Sequence, residues 1–366
     1  MSRIVAVAPA LPPHVYRQEQ ITETLATLIT DDPSRQALMR RMHAASRVDT
    51  RHLVAPLDYY RDLGSFDQTN DLFISAGTDL AERALSDALA AAALDAAEVD
   101  FFLFTTVTGV SAPSIDAELV RRVGMRSDVK RLPSFGLGCV AGAAGLARVH
   151  DYLEGHPGEV GVLVALELCS LTVQRDDDSM ANIVASGLFG DGAAAAVLVG
   201  DDRAARLGLA GPDIVDTRSR LYPDSEGVLG WDIGGTGFRI VLGAGVPAVI
   251  DHNFRADALG LLSEHGLTVA DVGQWIAHPG GPKVLEAFAR ALEVPDSALA
   301  SGWAVLKRAG NLSSAAVLHS LADVMAEVST THPQTDAAPA GAVIGLLFAL
   351  GPGVSAELVL LKWRAA

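Results

Sequence analysis

The chain has 366 residues, 49% of them hydrophobic and only 5% aromatic, with a formal net charge of −16. This length allows one or two domains with a large buried core, and the acidic balance excludes general nucleic-acid binding, which needs a basic footprint. The two cysteines, Cys139 and Cys169, form neither a disulfide framework nor a metal-ligand spacing, so a reducing cytoplasm fits.

Taken in chain order, residues 2–9 read as a first strand running into a turn, without the apolar core and cleavage site of a secretory signal. Residues 18–30 have the spacing of an amphipathic helix. Arg35, Arg40, Arg41, Arg47 and Arg51 follow, between two acidic stretches. They are the candidate patch for an anionic substrate; the competing reading is a solvated helix face with paired charges. An irregular segment, 56–68, precedes a long Ala-rich helix over 71–94.

Apolar runs at 99–107, 160–168, 193–199, 275–277 and 342–350 read as buried strands, and their alternation with helices predicts α/β layers. The C-terminal run, 341–350, is about half the length of a membrane helix, so no membrane span is expected. Charged and turn residues at 200–211 mark a pseudo-domain boundary, dividing the chain into halves 1–210 and 211–366.

Three short segments carry candidate chemistry. Cys139 stands in Leu137-Gly138-Cys139-Val140-Ala141-Gly142, where a hydrophobic run meets the Gly/Ala-rich opening of a helix. A thiol at a helix N-terminus meets a positive partial charge and unpaired N–H groups, which favour thiolate; the alternative is a buried structural cysteine. His278, in Ala277-His278-Pro279-Gly280-Gly281, ends a short apolar run just before a predicted helix over 283–292. There it can hold a thiol as thiolate or donate to an oxyanion, or it can be structural. Asn311, in Gly310-Asn311-Leu312-Ser313-Ser314, is either a helix N-cap or an amide donor to a developing enolate.

In that order, the Gly-framed Cys, His-Pro-Gly-Gly and Gly-Asn-x-Ser-Ser segments resemble the condensing enzymes of the thiolase fold. Within them the chain is most similar to the type III polyketide synthases, the chalcone-synthase-like family. Leu188-Phe189-Gly190-Asp191-Gly192-Ala193 and Gly351-Pro352-Gly353 resemble two further motifs of that family, and the similarity runs over 4–363. The resemblance implies an α/β thiolase fold with a duplicated αβαβα, five-layered core, and a homodimer. It implies that Cys139 takes a starter acyl group from coenzyme A, and that His278 keeps Cys139 ionised. His278 and Asn311 would stabilise the enolate formed when malonyl-CoA loses carbon dioxide. The starter would be extended iteratively and cyclised, with coenzyme A thioesters as substrates and no metal or redox cofactor.

The resemblance also makes Phe189 a gatekeeper with Phe238 as its counterpart, and Val107, Cys169, Thr172 and Ser313 cavity-lining positions. Cys169, which lacks a Gly frame or adjacent base, reads as a packing residue. Arg41 falls at a family position that binds coenzyme A phosphates. The neighbouring family lysines are replaced by Leu38 and Ala45, leaving Arg40 or Arg47 to compensate, with Gly280 and Gly281 beside them. Three departures bear on product. Ala349 and Leu350 replace a Gly-Phe pair of the C-terminal loop. Val107 replaces the second cysteine of naphthalene-forming members, and Ala112 replaces a Met that in plant members reaches across the dimer. Small lining residues suit a long aliphatic starter and an alkylpyrone or alkylresorcinol product. A one-step ketoacyl-ACP synthase III-like enzyme and a non-catalytic acyl-CoA-binding paralogue are the competing readings.

Overall fold

The computed structural model describes residues 1–331 and 342–364. Nine strands form the main sheet: β1 (Ser2–Ala10), β2 (Phe101–Thr106), β3 (Lys130–Phe135), β4 (Val160–Leu168), β5 (Asp191–Gly200), β6 (Asp213–Leu221), β7 (Val272–Ala277), β8 (Val343–Gly351) and β9 (Ser355–Trp363). Their order is β7-β8-β9-β6-β1-β5-β4-β2-β3. The predicted strand over 160–168 matches β4 at both ends, and 342–350 starts one residue before β8; Gly341 lies outside the described residues.

The order hides a repeat. Outward from β1, the partners β5 and β4 pair antiparallel, and β2 then pairs parallel to β4. Outward from β6, β9 and β8 pair antiparallel, and β7 then pairs parallel to β8. The two half-sheets meet where Ser2 and Arg3 pair with Ile214 and Asp213. This is a duplicated unit.

Period-two alternation sorts the strand side chains into three cores. On β4, Val160, Val162, Val164 and Leu166 face one core, together with the long helix α1 (Phe66–Ala91), while Leu163 and Ala165 face another. That second, central core also takes Leu347, Ala349, Val359 and Leu361 from the other half-sheet. Leu346, Phe348, Leu358 and Leu360 point the opposite way, into a third core under the helix α3 (Pro282–Leu292). Helix, sheet, helix, sheet, helix is the expected five-layered arrangement.

Between the sheets lie α2 (Ala141–Glu154) and α4 (Ala316–Thr331), both packed against strands of each half. Gly142 explains their closeness: a Cβ there would fall 2.2 Å from the Ser314 carbonyl oxygen and 2.8 Å from Val317. Helix termini are thereby brought together at one point, and each carries a candidate residue.

Candidate active site

Cys139 lies on the 3₁₀ turn Gly138–Val140 that leads from β3 into α2. Gly138 has φ 56°, and a Cβ on it would strike the Pro352 ring at 2.6 Å, so glycine is needed both for the backbone and for the approach of the Gly351-Pro352-Gly353 loop. The thiol donates to Ser313 Oγ at 3.6 Å.

His278 follows directly on β7. Its N–H bonds the Phe348 carbonyl, and its own carbonyl accepts from Gly280 N–H, each at 2.9 Å. This tight turn ends at Gly281 (φ 144°), and α3 then starts at Pro282, one residue before the predicted start. His278 is 2% exposed and its Nδ1 has no hydrogen-bond partner among the described residues.

Asn311 uses both ends of its side-chain amide. Its Oδ1 accepts from Ser313 N–H at 2.8 Å, as a cap does, and its Nδ2 donates to the Gly280 carbonyl at 3.3 Å. Its backbone pairs across the halves: Asn311 N–H bonds Leu188 O at 2.8 Å, and Gly190 N–H bonds Asn311 O at 3.0 Å. Phe189 is therefore tied to Asn311 by an isolated parallel bridge. Hydrogen bonds thus run from Cys139 through Ser313 and Asn311 to the turn that holds His278.

Burial decides the charge states. It pushes the Cys139 thiol up to about 12, aided by the nearby Glu167 carboxylate, while hydrogen bonds from Ser313 and Asn311 pull the other way. Burial alone lowers His278 to about 3. Desolvation thus opposes the thiolate that the helix end favours, and the thiol's hydrogen bond goes to Ser313.

Glu167 escaped the sequence reading, although a carboxylate inside the apolar run 160–168 is itself a signal. It is fully buried and accepts from Val107 N–H (3.1 Å), Thr108 Oγ1 (2.9 Å), Ser313 Oγ (3.2 Å) and Ser314 Oγ (2.5 Å). Burial raises it to about 7 despite these bonds.

The remaining candidates divide. Cys169, Thr172 and half-buried Phe189 line a narrow cavity closed by Ile21, Leu25, Leu57, Trp231 and Ile240; Cys139 is not on its wall. Phe238 is buried against Phe66, Phe135 and Trp231, and Phe189 is not among its ring partners. Val107 is buried and lies 4.0 Å from where a Cβ on Gly138 would sit.

The arginine cluster does not form one surface patch. Arg51 is 2% exposed, bonding Gln18 Oε1 through Nε and the Ser186 and Phe189 carbonyls through Nη1. Arg40 makes a two-pronged bond to Glu23, Arg35 pairs with Asp178, and Arg47 pairs with Glu286 and covers the Trp303 ring. Arg41, exposed on the helix Pro33–Ala44, makes no ion pair among the described residues. Among those residues no cluster of His, Cys, Asp and Glu could hold a metal, and no helix is long and apolar enough to cross a membrane.

A duplicated α/β core, with Cys139, Asn311 and the turn after His278 linked by hydrogen bonds where its halves meet, has the layout of a thiolase-type condensing enzyme. The N-terminal domain model of the chalcone and stilbene synthases matches residues 1–203 and the C-terminal model residues 213–364. The chain belongs to this family and is a type III polyketide synthase, a malonyl-CoA-condensing acyltransferase. It is 52% identical to 1,3,6,8-tetrahydroxynaphthalene synthase of Streptomyces peucetius subsp. caesius, over 98% of this chain and 93% of that one. The alpha-pyrone synthesis polyketide synthase-like Pks18 of Mycobacterium tuberculosis is 29% identical over 97% of this chain and 89% of its own. The crystal structure of tetrahydroxynaphthalene synthase from Streptomyces coelicolor A3(2) superposes with a TM-score of 0.89 at 30% identity, covering all of both chains.

Proposed function

We propose that Cys139 takes the starter acyl group from coenzyme A and holds the growing chain, with His278 and Asn311 acting on the thioester oxygen. The hydrogen-bond path from Cys139 through Ser313 and Asn311 to the His278 turn carries this reading, because it gathers groups from both halves at one thiol. Sulfur suits this role, being both a soft nucleophile and a competent leaving group. Malonyl-CoA needs no base to form its carbanion, only fixed donors at the oxygen where charge develops. Neutral His278 and the Asn311 amide are such donors, each worth about 3 kcal/mol of barrier.

The product we propose is an alkylpyrone or alkylresorcinol from an aliphatic starter. Val107, standing where a second cysteine would be needed for a naphthalene-forming site, supports this reading. A second reading, a naphthalene-type product, draws on the relative at 52% identity. Mass-resolved products from malonyl-CoA alone and with starters from acetyl-CoA to palmitoyl-CoA separate the two. Pyrones or resorcinols carrying the starter's alkyl chain support the first, and a starter-independent pentaketide supports the second. A single ketoacyl product, or a requirement for acyl carrier protein, overturns iterative extension.

For coenzyme A phosphates we propose exposed Arg41, with Gly280 and Gly281 giving close backbone approach. Homodimerisation is proposed through the edge strand β3, where Leu132, Phe135 and nearby Val110 and Leu137 are each more than 40% exposed. A reducing cytoplasm suits the two unpaired cysteines.

A further inference from the structure

The hairpin formed by Leu229–Gly234 and Gly237–Leu242 stands apart from the nine-stranded sheet as a two-stranded ribbon. Two strands alone are marginally stable in water, so the ribbon needs an anchor. Trp231 and Ile240, directly opposite each other across the hairpin, line the same cavity as Cys169, Thr172 and Phe189. Gln174, two residues after Thr172 and 6% exposed, turns its side-chain amide to the hairpin. Its Nε2 donates to the Phe238 carbonyl at 3.1 Å and shares its protons with the Thr172 and Thr236 carbonyls at 3.1 and 3.3 Å. Its Oε1 accepts from Thr236 Oγ1 at 2.6 Å. We propose that Gln174 is a positioning residue that fixes the hairpin's place in the cavity wall and thereby limits the length of the acyl starter the enzyme accepts.

Asn182 completes the anchor. It is 3% exposed and lies on the same cavity wall; its Oδ1 accepts from Gln174 N–H at 3.4 Å, and its Nδ2 donates to the Gln174 carbonyl at 2.9 Å. Asn182 belongs to the helix Met180–Leu188, which ends on Phe189, and Phe189 is bridged to Asn311. One buried glutamine–asparagine pair thus joins the hairpin to the helix that carries Phe189 to the candidate amide donor. Beside this pair, the Phe238 ring packs on Phe66 and Phe135. Apolar contact of that kind is non-directional and lets the ribbon slide. The amide bonds fix its position, because a buried polar group that leaves its partner goes unsatisfied at a cost.

This inference rests on the aliphatic-starter reading, and the experiment separates the two. Malonyl-CoA is supplied with an equimolar mixture of hexanoyl-CoA and palmitoyl-CoA, and the mass-resolved ratio of their products is read for wild type, Q174M and T236V. In competition that ratio reports the two kcat/KM values alone, so a variant that merely folds less well keeps the wild-type ratio. Q174M retains the side chain's bulk and none of the amide bonds. It should move the ratio towards palmitoyl products by about tenfold or more, the discrimination that a methylene-sized change in an apolar pocket gives. T236V removes only the bond to Oε1 and should move the ratio the same way by a smaller factor. A ratio in Q174M that is unchanged, or moved towards hexanoyl products, overturns the anchor. Should Q174M fail to fold, T236V decides: a shift towards palmitoyl products supports the anchor, and the wild-type ratio overturns it. A wild type that extends neither starter overturns the aliphatic-starter reading instead. The ratio of longest to truncated products from malonyl-CoA alone is then compared, and a Q174M that leaves it unchanged overturns the anchor.

Discussion

The two halves build the site from one plan and complete it differently. In each, a 3₁₀ turn leads into a central helix: Gly138–Val140 into α2, and Ser313–Ala315 into α4. In the first half, the strand β3 at the outer edge delivers the chain to Cys139. In the second, no strand lies outside β7 among the described residues, and Asn311 is fixed instead by its bridge to Phe189 of the first half. The nucleophile's turn is delivered by its own half but closes on Pro352 and Ser313 of the second, whereas the Asn311 backbone is held by the first. Function comes from the asymmetry, since two identical ends would give two thiols or two amides.

Removing the nucleophile tests that comparison most severely. Cys139→Ala should abolish product while circular dichroism and melting stay as in wild type; residual polyketide would break the assignment. Asn311→Ala should follow, lowering kcat by roughly a hundredfold to a thousandfold, the effect of one lost oxyanion donor. Acylation of Cys139 by the starter should survive in that variant, because it needs the first half's turn more than the second half's amide. Equal loss of both steps would show that the halves are not separable in this way.

Packing is the next test. Gly142→Ala puts a methyl into the contact with the Ser314 carbonyl and should cost about 1–3 kcal/mol in denaturant unfolding. An unchanged midpoint would mean that α2 and α4 tolerate separation. The smallest effect expected is on pH dependence. His43, His278 and His319 are held at about 4, 3 and 4 by burial, below their unfolded value of 6.5. The unfolded chain therefore binds more protons in acid, and these groups' stability is present above pH 6.5 and is lost as pH falls towards 3. Glu167, raised to about 7 from 4.5, runs the other way: its contribution is present below 4.5 and lost as pH rises through 7. Melting temperature should fall on acidification from 6.5, and His319→Gln, remote from the thiol, should soften that fall. An unchanged slope would count against His319 as a contributor.

Much of this was legible in the residues. The strand at 160–168, the helix after His278 and the joint Cys, His and Asn signature rest on local pattern, and the five-layered fold followed from the resemblance those motifs carry. The arginines are less legible. Five of them close in sequence look like a patch, yet Arg51 turns inward to the Ser186 and Phe189 carbonyls and three others meet carboxylates.

By itself, then, the sequence determined the family and the order of elements, and pointed to the side chains proposed as nucleophile and donors, because motif and periodicity are local properties of a chain. Only the tertiary structure decided that the half-buried thiol faces Ser313 and that Glu167 stands one hydroxyl away. Desolvation and hydrogen bonding are sums over neighbours, and here the neighbours come from residues 139, 167, 280, 311 and 313, far apart in sequence and joined only when the two halves close around α2 and α4.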